Sequence, residues 1–405
     1  MSEPRELLKA GQRIWVAGSS NEPTTVLEML SAADLPADLT FIQFPLAGFN
    51  GTDFTAFNPT ARMETFFMTA ALAKAVPERL AFVPMQMRAV YEYLSDRVDV
   101  VLLQAARDRA GRLVLGPNVD FAGAALAAAG TVIVEVNEAI SPPQGGMFLN
   151  EAAVDCLVAS NRPLPEMPPP VIDDAAAAIG RHVAGLIRDG DCIQTGIGSI
   201  PAAILRELGE RNDLGLHGGL IDDGGMALIR AGNVTGARKA IDVHRHVTGM
   251  ALGSQELYAW LAETPELVFR GANYTHEVSV IRQLDNFVSI NSAVEVDLYG
   301  QVNAEFAAGR QLSGTGGSVD FMRSARASKG GRSIIAMNAT ARGGSVSRIV
   351  PRVEMVTALR TDVDMVVTEH GVASLFGQSV AERARRLVEI AAPAFREELL
   401  DRAPR

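Results

Sequence analysis

NSAVEVDLYGQVNAEFAAGRQLSGTGGSVDF, running from Asn291 to Phe321, sets one carboxylate, Glu295, in an apolar strand and follows it with a glycine loop, Gly314-Thr315-Gly316-Gly317. From Phe287 to Leu298 the residues alternate: Val288, Ile290, Val294, Val296 and Leu298 fall on one face, and Asn291, Glu295 and Asp297 on the other. The spacing predicts a strand whose apolar face packs in a core while Glu295 and Asp297 project together. The polar outer face of a half-buried strand gives the same pattern, so alternation alone does not make a site. The loop adds to it. Glycines allow positive φ and close approach, and consecutive N–H groups in such a turn form a nest for an oxyanion or a phosphate. A glycine-rich turn by itself is as readily plain loop.

Working outward, an earlier phrase repeats. Arg13 to Gly18 reads as a buried strand and Pro23 to Leu30 as the start of a helix; Gly190 to Pro201 follows the same pattern, with Pro23, Val26, Leu27 and Leu30 opposite Pro201, Ile204, Leu205 and Leu208. Gly116-Pro117-Asn118-Val119-Asp120-Phe121 is echoed by Gly316-Gly317-Ser318-Val319-Asp320-Phe321. Two echoes in the same order suggest two similar halves, although segments this short also recur by chance. Asn161 to Pro170 holds five prolines and reads as the linker. Strands at Asp99 to Leu103, Val132 to Val136 and Ser333 to Met337 alternate with helical stretches such as Ala175 to Arg188. That order predicts an α/β fold of two open α/β/α domains with mainly parallel sheets, residues 1–170 and 171–405, the second carrying Glu295. In such sheets ligands bind beyond the carboxyl ends of the strands.

The chain resembles the class I coenzyme A transferases, specifically the acetyl-CoA hydrolase/transferase family that includes 4-hydroxybutyrate, butyryl and succinyl:acetate CoA-transferases. The resemblance rests on Ser292 to Leu298 with Gly300-Gln301-Val302, the Gly314 to Phe321 loop, Ser347-Arg348-Ile349-Val350-Pro351, Val367 to Ala373, and Glu382 to Arg385 with Leu387 to Ile390. It implies two CoA-transferase domains and Glu295 as the catalytic residue. It also implies contacts with CoA from Arg270, Gly271, Ala272, Asn273 and Tyr274, and a cofactor or acyl contact from Gly371, where a turn glycine is the competing reading. Gly314, Gly316 and Gly317 complete the expected cofactor-binding set. One departure is His217-Gly218-Gly219-Leu220-Ile221-Asp222-Asp223-Gly224, where many relatives have His-Thr-Glu-Met; the missing hydroxyl and carboxylate point to a different acid substrate if those groups shape its pocket.

Composition narrows the alternatives. The net charge of −10 argues against nucleic acid, while a local basic pocket could still hold an anionic cofactor. Arg323, Arg326, Lys329, Arg332, Arg342, Arg348 and Arg352 read either as a solvated surface or as attraction for the CoA phosphates. The start, MSEPRELLKAG, lacks an apolar signal core, no apolar run is long enough to cross a bilayer, and two cysteines make no disulfide framework. These features predict a cytoplasmic protein. Gly196-Ile197-Gly198 has Pro201 where a dinucleotide fingerprint needs its third glycine, and His244 and His246, expected to share a strand face, lack a third ligand at zinc spacing. No serine-hydrolase elbow and no P-loop occurs.

The function expected is CoA transfer between an acyl-CoA and a carboxylic acid, with coenzyme A as co-substrate and no metal. Glu295 would attack the thioester and form first an acyl-glutamyl anhydride, then a glutamyl-CoA thioester, with ping-pong kinetics. An acyl-CoA hydrolase using the same glutamate is the alternative, and a CoA- or nucleotide-binding module without turnover is a third reading, disfavoured by the carboxylate. The resemblance also implies a homodimer or homotetramer.

Overall fold

The computed structural model describes residues 3–404. They divide into two compact units: the chain up to Pro168 together with Val247–Thr275, and Pro169–His246 together with His276 onward. The expected division at residue 170 lies beside the change of unit at 168/169. The segment Val247–Thr275, expected in the second half, packs with the first. Backbone bonds show why: Val119 N–H donates to Gly249 O, Ala251 N–H to Pro117 O and Met167 N–H to Gly253 O. The linker joins in, since Tyr258 donates its hydroxyl to Pro165 O and Gln255 Nε2 donates to Leu164 O. Five prolines remove the N–H groups a ladder would need, so this stretch packs through its carbonyls.

The first unit is built on nine strands: β1 (Arg13–Val16), β2 (Thr40–Gln43), β3 (Arg62–Thr65), β4 (Leu80–Phe82), β5 (Val100–Arg107), β6 (Leu113–Leu115), β7 (Thr131–Asn137), β8 (Phe148–Leu149) and β9 (Cys156–Ser160). The parallel part runs β4-β3-β2-β1-β5-β7-β9. β6 and β8 add an antiparallel extension to the end of β5, past the point where β1 stops. β5 is central and buried on both faces, which is why Val100-Val101-Leu102-Leu103 reads as a continuous apolar run. The helices Thr24–Ser31 and Ala122–Ala128 stand close to where the sequence places them.

In the second unit the strands relevant to the site are β10 (Cys192–Gln194), β11 (Gly215–Leu216), β12 (Phe287–Asn291), β13 (Glu295–Asp297), β14 (Val302–Asn303), β15 (Arg332–Ala336), β16 (Ile349–Val350), β17 (Met365–Thr368) and β18 (Gly371–Ser374). A six-stranded sheet orders β11-β10-β12-β15-β17-β18, parallel as far as β17, with β18 returning antiparallel. A separate small sheet orders β14-β13-β16. β10 leads into helix Ser199–Arg206 as β1 leads into Thr24–Ser31, so the two halves share a local plan at the first echo. At the second the match is looser: Phe121 caps helix Ala122–Ala128, while Ser318 to Phe321 already form the first turn of helix Ser318–Ala327.

The strand expected from Phe287 to Leu298 is two strands in two sheets. β12 lies between β10 and β15 and buries Phe287 to Ile290 on both faces, so it has no polar side. The chain leaves that sheet at Asn291 and takes new partners at Glu295. Val296, Leu298, Val302 and Ile349 form a buried apolar floor beneath β13, each worth about 1.5–3 kcal/mol of burial.

The basic cluster also resolves into separate roles. Arg332 pairs with Asp191 in the interior, Arg326 with Asp364 at 2.9 Å, Arg323 with Asp362 at 3.3 Å and Lys329 with Asp285 at 3.8 Å. Arg352 lies over the Tyr299 ring. His246 opens a short strand while His244 sits at φ +58 in a turn, so the two do not share a strand face. No described helix is long and apolar enough to cross a membrane, and no described group of three His, Cys, Asp or Glu could hold a metal ion.

Candidate active site

The hairpin from Glu295 to Asn303 is set by its turn. Asp297 accepts from the N–H groups of Tyr299 at 3.0 Å and Gln301 at 2.9 Å and from Gln301 Nε2 at 2.8 Å, while Gly300 takes φ +87 and donates its N–H to Asp297 O. Aspartate at the start of a tight turn and glycine at its end are chosen for these two jobs. Asp297 is buried and occupied by the turn and by the Val353 N–H, which donates to Oδ2 at 3.4 Å, so it serves as a structural carboxylate. The turn fixes register, and register puts Asn303 directly across from Glu295.

Asn303 is fully buried. Its Oδ1 accepts from the N–H groups of Glu305 and Phe306, and its Nδ2 donates to Phe306 O at 2.8 Å and to Glu295 Oε1 at 3.0 Å. With the other contacts locked, the Nδ2 proton facing Glu295 cannot turn away. A second donor, the Glu354 N–H, reaches the same Oε1 at 3.2 Å. No described hydrogen bond takes Oε2, and the Glu295 side chain is only half-buried. Among the described residues, one oxygen is therefore held and the other has no hydrogen-bond partner.

Arg348 brackets this residue. Its Nε donates to Val294 O at 2.9 Å, just before Glu295, and its carbonyl accepts from the Val296 N–H, just after. Burial pulls the guanidinium below its ordinary range, while Glu369 and Glu295 pull it back up. Glu369, on the turn between β17 and β18, accepts from Ala339 N–H at 2.8 Å. Gly371 closes that turn at φ +140, a backbone requirement that explains a glycine there independently of any ligand.

The glycine loop precedes helix Ser318–Ala327, with Gly316 at φ +52 and Gly317 at the helix cap. It is tied to the Glu295 hairpin through Ser313, whose hydroxyl donates to Ala304 O, and through Glu305, which joins Gln311 to Thr357. A Cβ on Gly317 would stand 2.3 Å from His276 Nε2, and one on Gly219 2.8 Å from His276 Cε1. Within the Gly218-Gly219 departure it is Gly219 that makes room for a buried imidazole, which burial holds neutral by pushing its pKa down to about 3, while Gly218 lies against Gln194.

Of the residues expected in the site, Glu295, Gly314, Gly316, Gly317 and Gly371 belong to the second unit; Arg270, Gly271, Ala272, Asn273 and Tyr274 belong to the first. There the loop rests on Asp120, whose carbonyl accepts from Ala272 N–H at 2.7 Å, and Gly271 packs where a Cβ would meet the Tyr91 ring. The donors that reach Glu295 come from Asn303 and Glu354, which sequence reading missed. The available signal was Asn303 itself, a polar residue in an apolar strand at a register the Asp297–Gly300 turn could have fixed.

Comparison with known proteins places the chain in a family. The acetyl-CoA hydrolase/transferase N-terminal domain matches residues 1–173 and the C-terminal domain of the same family residues 253–403. A 4-hydroxybutyrate coenzyme A transferase of Clostridium kluyveri is 41% identical over 308 residues, covering 75% of this chain and 72% of its own. A succinyl-CoA:cyclohexane-1-carboxylate CoA transferase of Geobacter metallireducens is 34% identical over 412 residues, covering 100% and 94%. The crystal structure of RipA from Yersinia pestis superimposes with a TM-score of 0.93 at 34% identity, covering 99% of this chain and 96% of that one. The chain belongs to the acetyl-CoA hydrolase/transferase family of CoA-transferring enzymes.

Proposed function

We propose that this protein transfers CoA from an acyl-CoA to a carboxylic acid through a thioester on Glu295. The observation that carries the reading is the asymmetry of that carboxylate: Oε1 held by Asn303 Nδ2 and Glu354 N–H, Oε2 unengaged among the described residues. Oε2 attacks the thioester carbonyl, the C–S bond breaks, and an acyl-glutamyl anhydride and CoA thiolate result. The thiolate then attacks the glutamyl carbonyl and the first acid leaves. At that stage Oε1 is the oxygen that takes the negative charge, and the two donors already face it, so little reorganisation is needed. The Gly314 to Gly317 loop is suited to the oxyanion on the substrate side of the anhydride, and Arg270 to Tyr274 and Gly371 to holding CoA. A second acid reverses the steps. Each step exchanges bonds of similar energy, so the thioester is conserved. Entry of water to either intermediate would make the same residue a hydrolase.

The test is mass spectrometry after acyl-CoA and then borohydride, comparing wild type with Glu295→Ala. Reduction of the carboxyl to an alcohol at residue 295, dependent on substrate, is the expected result. An unmodified Glu295 in a protein that still turns over acyl-CoA would exclude the covalent route. Release of acid without transfer to an added acceptor would assign the hydrolase.

A further inference from the structure

The second half of the exchange needs something the nucleophile does not provide: a way to bring a carboxylate, itself an anion, to the carbonyl of Glu295. We propose that Arg348 receives the carboxylate of the acceptor acid once Glu295 has been converted to a thioester, an inference that rests on the glutamyl reading above.

Four observations carry it. Arg348 is bonded to the residues on both sides of Glu295, so its guanidinium is anchored at the nucleophile rather than reaching it by a flexible arm. Only its Nε is used by a described hydrogen bond, to Val294 O; the two terminal nitrogens are engaged by none, and the side chain is half-buried. That leaves a planar fork of the geometry that binds a carboxylate by two parallel bonds. Third, most of the other cations between residues 323 and 352 have partners of their own: Arg323, Arg326 and Arg332 pair with aspartates, Lys329 with Asp285, and Arg352 lies over the Tyr299 ring, while Arg342 is exposed. Finally, the carboxylates that act on Arg348 are Glu369 and Glu295, and the reaction removes the second of them.

This last point gives the site an order of events. In the free enzyme Glu295 is an anion and repels a carboxylic acid in its ionised form, so the acid does not occupy the site before the acyl-CoA. Conversion to the glutamyl thioester neutralises residue 295 and leaves Arg348 with less compensating charge. The acceptor is then drawn to the fork. Its oxygen attacks the glutamyl carbonyl carbon, a C–O bond forms, the C–S bond breaks and CoA leaves as the thiolate. Thiolate attack on the other carbonyl of the anhydride forms the new acyl-CoA and returns Glu295 as a carboxylate, which displaces any remaining acid. The alternation of substrates becomes a consequence of charge at one residue.

The experiment separates acceptors with and without a carboxylate. The CoA-enzyme is formed with butyryl-CoA, freed of small molecules and mixed with either acetate or hydroxylamine, a neutral nucleophile that needs no cation. For Arg348→Gln the rate with acetate is expected to fall about 10-fold to 100-fold, the size of one charge-assisted hydrogen bond, and the rate with hydroxylamine far less. Arg348→Lys, which keeps the charge and loses the fork, should recover part of the acetate rate; it also serves if the glutamine variant folds poorly. Equal losses with both acceptors would mean that Arg348 only holds Glu295 in place, and no loss with acetate would put carboxylate binding elsewhere. Either result overturns the proposal. Absence of the thioester in wild type, seen before any acceptor is added, overturns the glutamyl reading and this inference with it.

Discussion

Asn303→Asp is the most informative single change at this site, because it keeps the shape of the side chain and reverses the sense of the two contacts that Nδ2 makes, to Glu295 Oε1 and to Phe306 O. Oδ1 would still accept from the N–H groups of Glu305 and Phe306, but the atom facing Glu295 Oε1 at 3.0 Å would be an acceptor instead of a donor. Two carboxylates at that distance repel by about 5 kcal/mol at an effective dielectric near 20, equivalent to about four pH units. The pair therefore shares one proton through the neutral range, and a nucleophile that shares a proton attacks poorly. Loss of the donor from the tetrahedral stage adds about 10²-fold to 10³-fold. The combined expectation is a fall in CoA-enzyme formation of about 10³-fold or more at neutral pH, recovering partly as pH rises and the shared proton leaves. Asn303→Ala removes the donor without adding charge, so it should lose about 10²-fold to 10³-fold with no new pH dependence. The assay is rapid-quench measurement of protein-bound CoA across pH, with thermal melts to confirm that each variant is folded. An aspartate variant that forms the thioester at the wild-type rate, with the wild-type pH profile, would refute the role given to Nδ2.

Gly317→Ala places a methyl 2.3 Å from His276 Nε2, and overpacking of this kind costs about 1–3 kcal/mol. A melt of the double variant with His276→Ala should show less destabilisation than the sum of the singles; simple additivity would mean that the glycine is there for another reason. Asp120 is buried and its pKa is pushed up to about 8 by that burial. An unfolded aspartate titrates near 3.9, so between about pH 4 and pH 8 the folded protein keeps a proton that the unfolded chain has released, and stability falls as pH rises through that window. Asp120→Asn cannot ionise; its melting temperature should gain on wild type progressively from about pH 5 to pH 8, and a constant difference would count against a neutral buried carboxyl.

Much of the fold could be read from the chain because it is local. The runs at Ile14 to Val16, Val100 to Leu103 and Val132 to Val134 are buried on both faces and so appear as unbroken apolar stretches. The prolines of 163–170 rule out regular structure without reference to anything else. What escaped is non-local. Val247–Thr275 joins the first unit through bonds to Pro117, Val119 and Gly145, residues remote in sequence, and its composition does not differ from that of the segments around it. The basic cluster is seven similar side chains in sequence; only the tertiary partners, aspartates for Arg323, Arg326 and Arg332 and the Glu295 strand for Arg348, separate ion pairs from a site.

The break between β12 and β13 shows how a candidate residue can be reached through an incomplete pattern. Alternation from Phe287 to Leu298 singled out Glu295, yet β12 and β13 lie in different sheets. What positions Glu295 is its own hairpin. Asp297 and Gly300 hold a turn that allows one register, and that register sets Asn303 opposite the carboxylate. In a ladder, a slip of one residue sends every side chain to the opposite face, so Asn303 would leave Glu295 while the apolar residues of the strand exchanged core for surface. The packing of Val296, Val302 and Ile349 therefore enforces the same register that sets Asn303 opposite Glu295. Core packing and the proposed catalytic geometry are specified by one constraint, which is why a short strand of three residues can hold the proposed nucleophile with Oε1 fixed and no described hydrogen bond on Oε2.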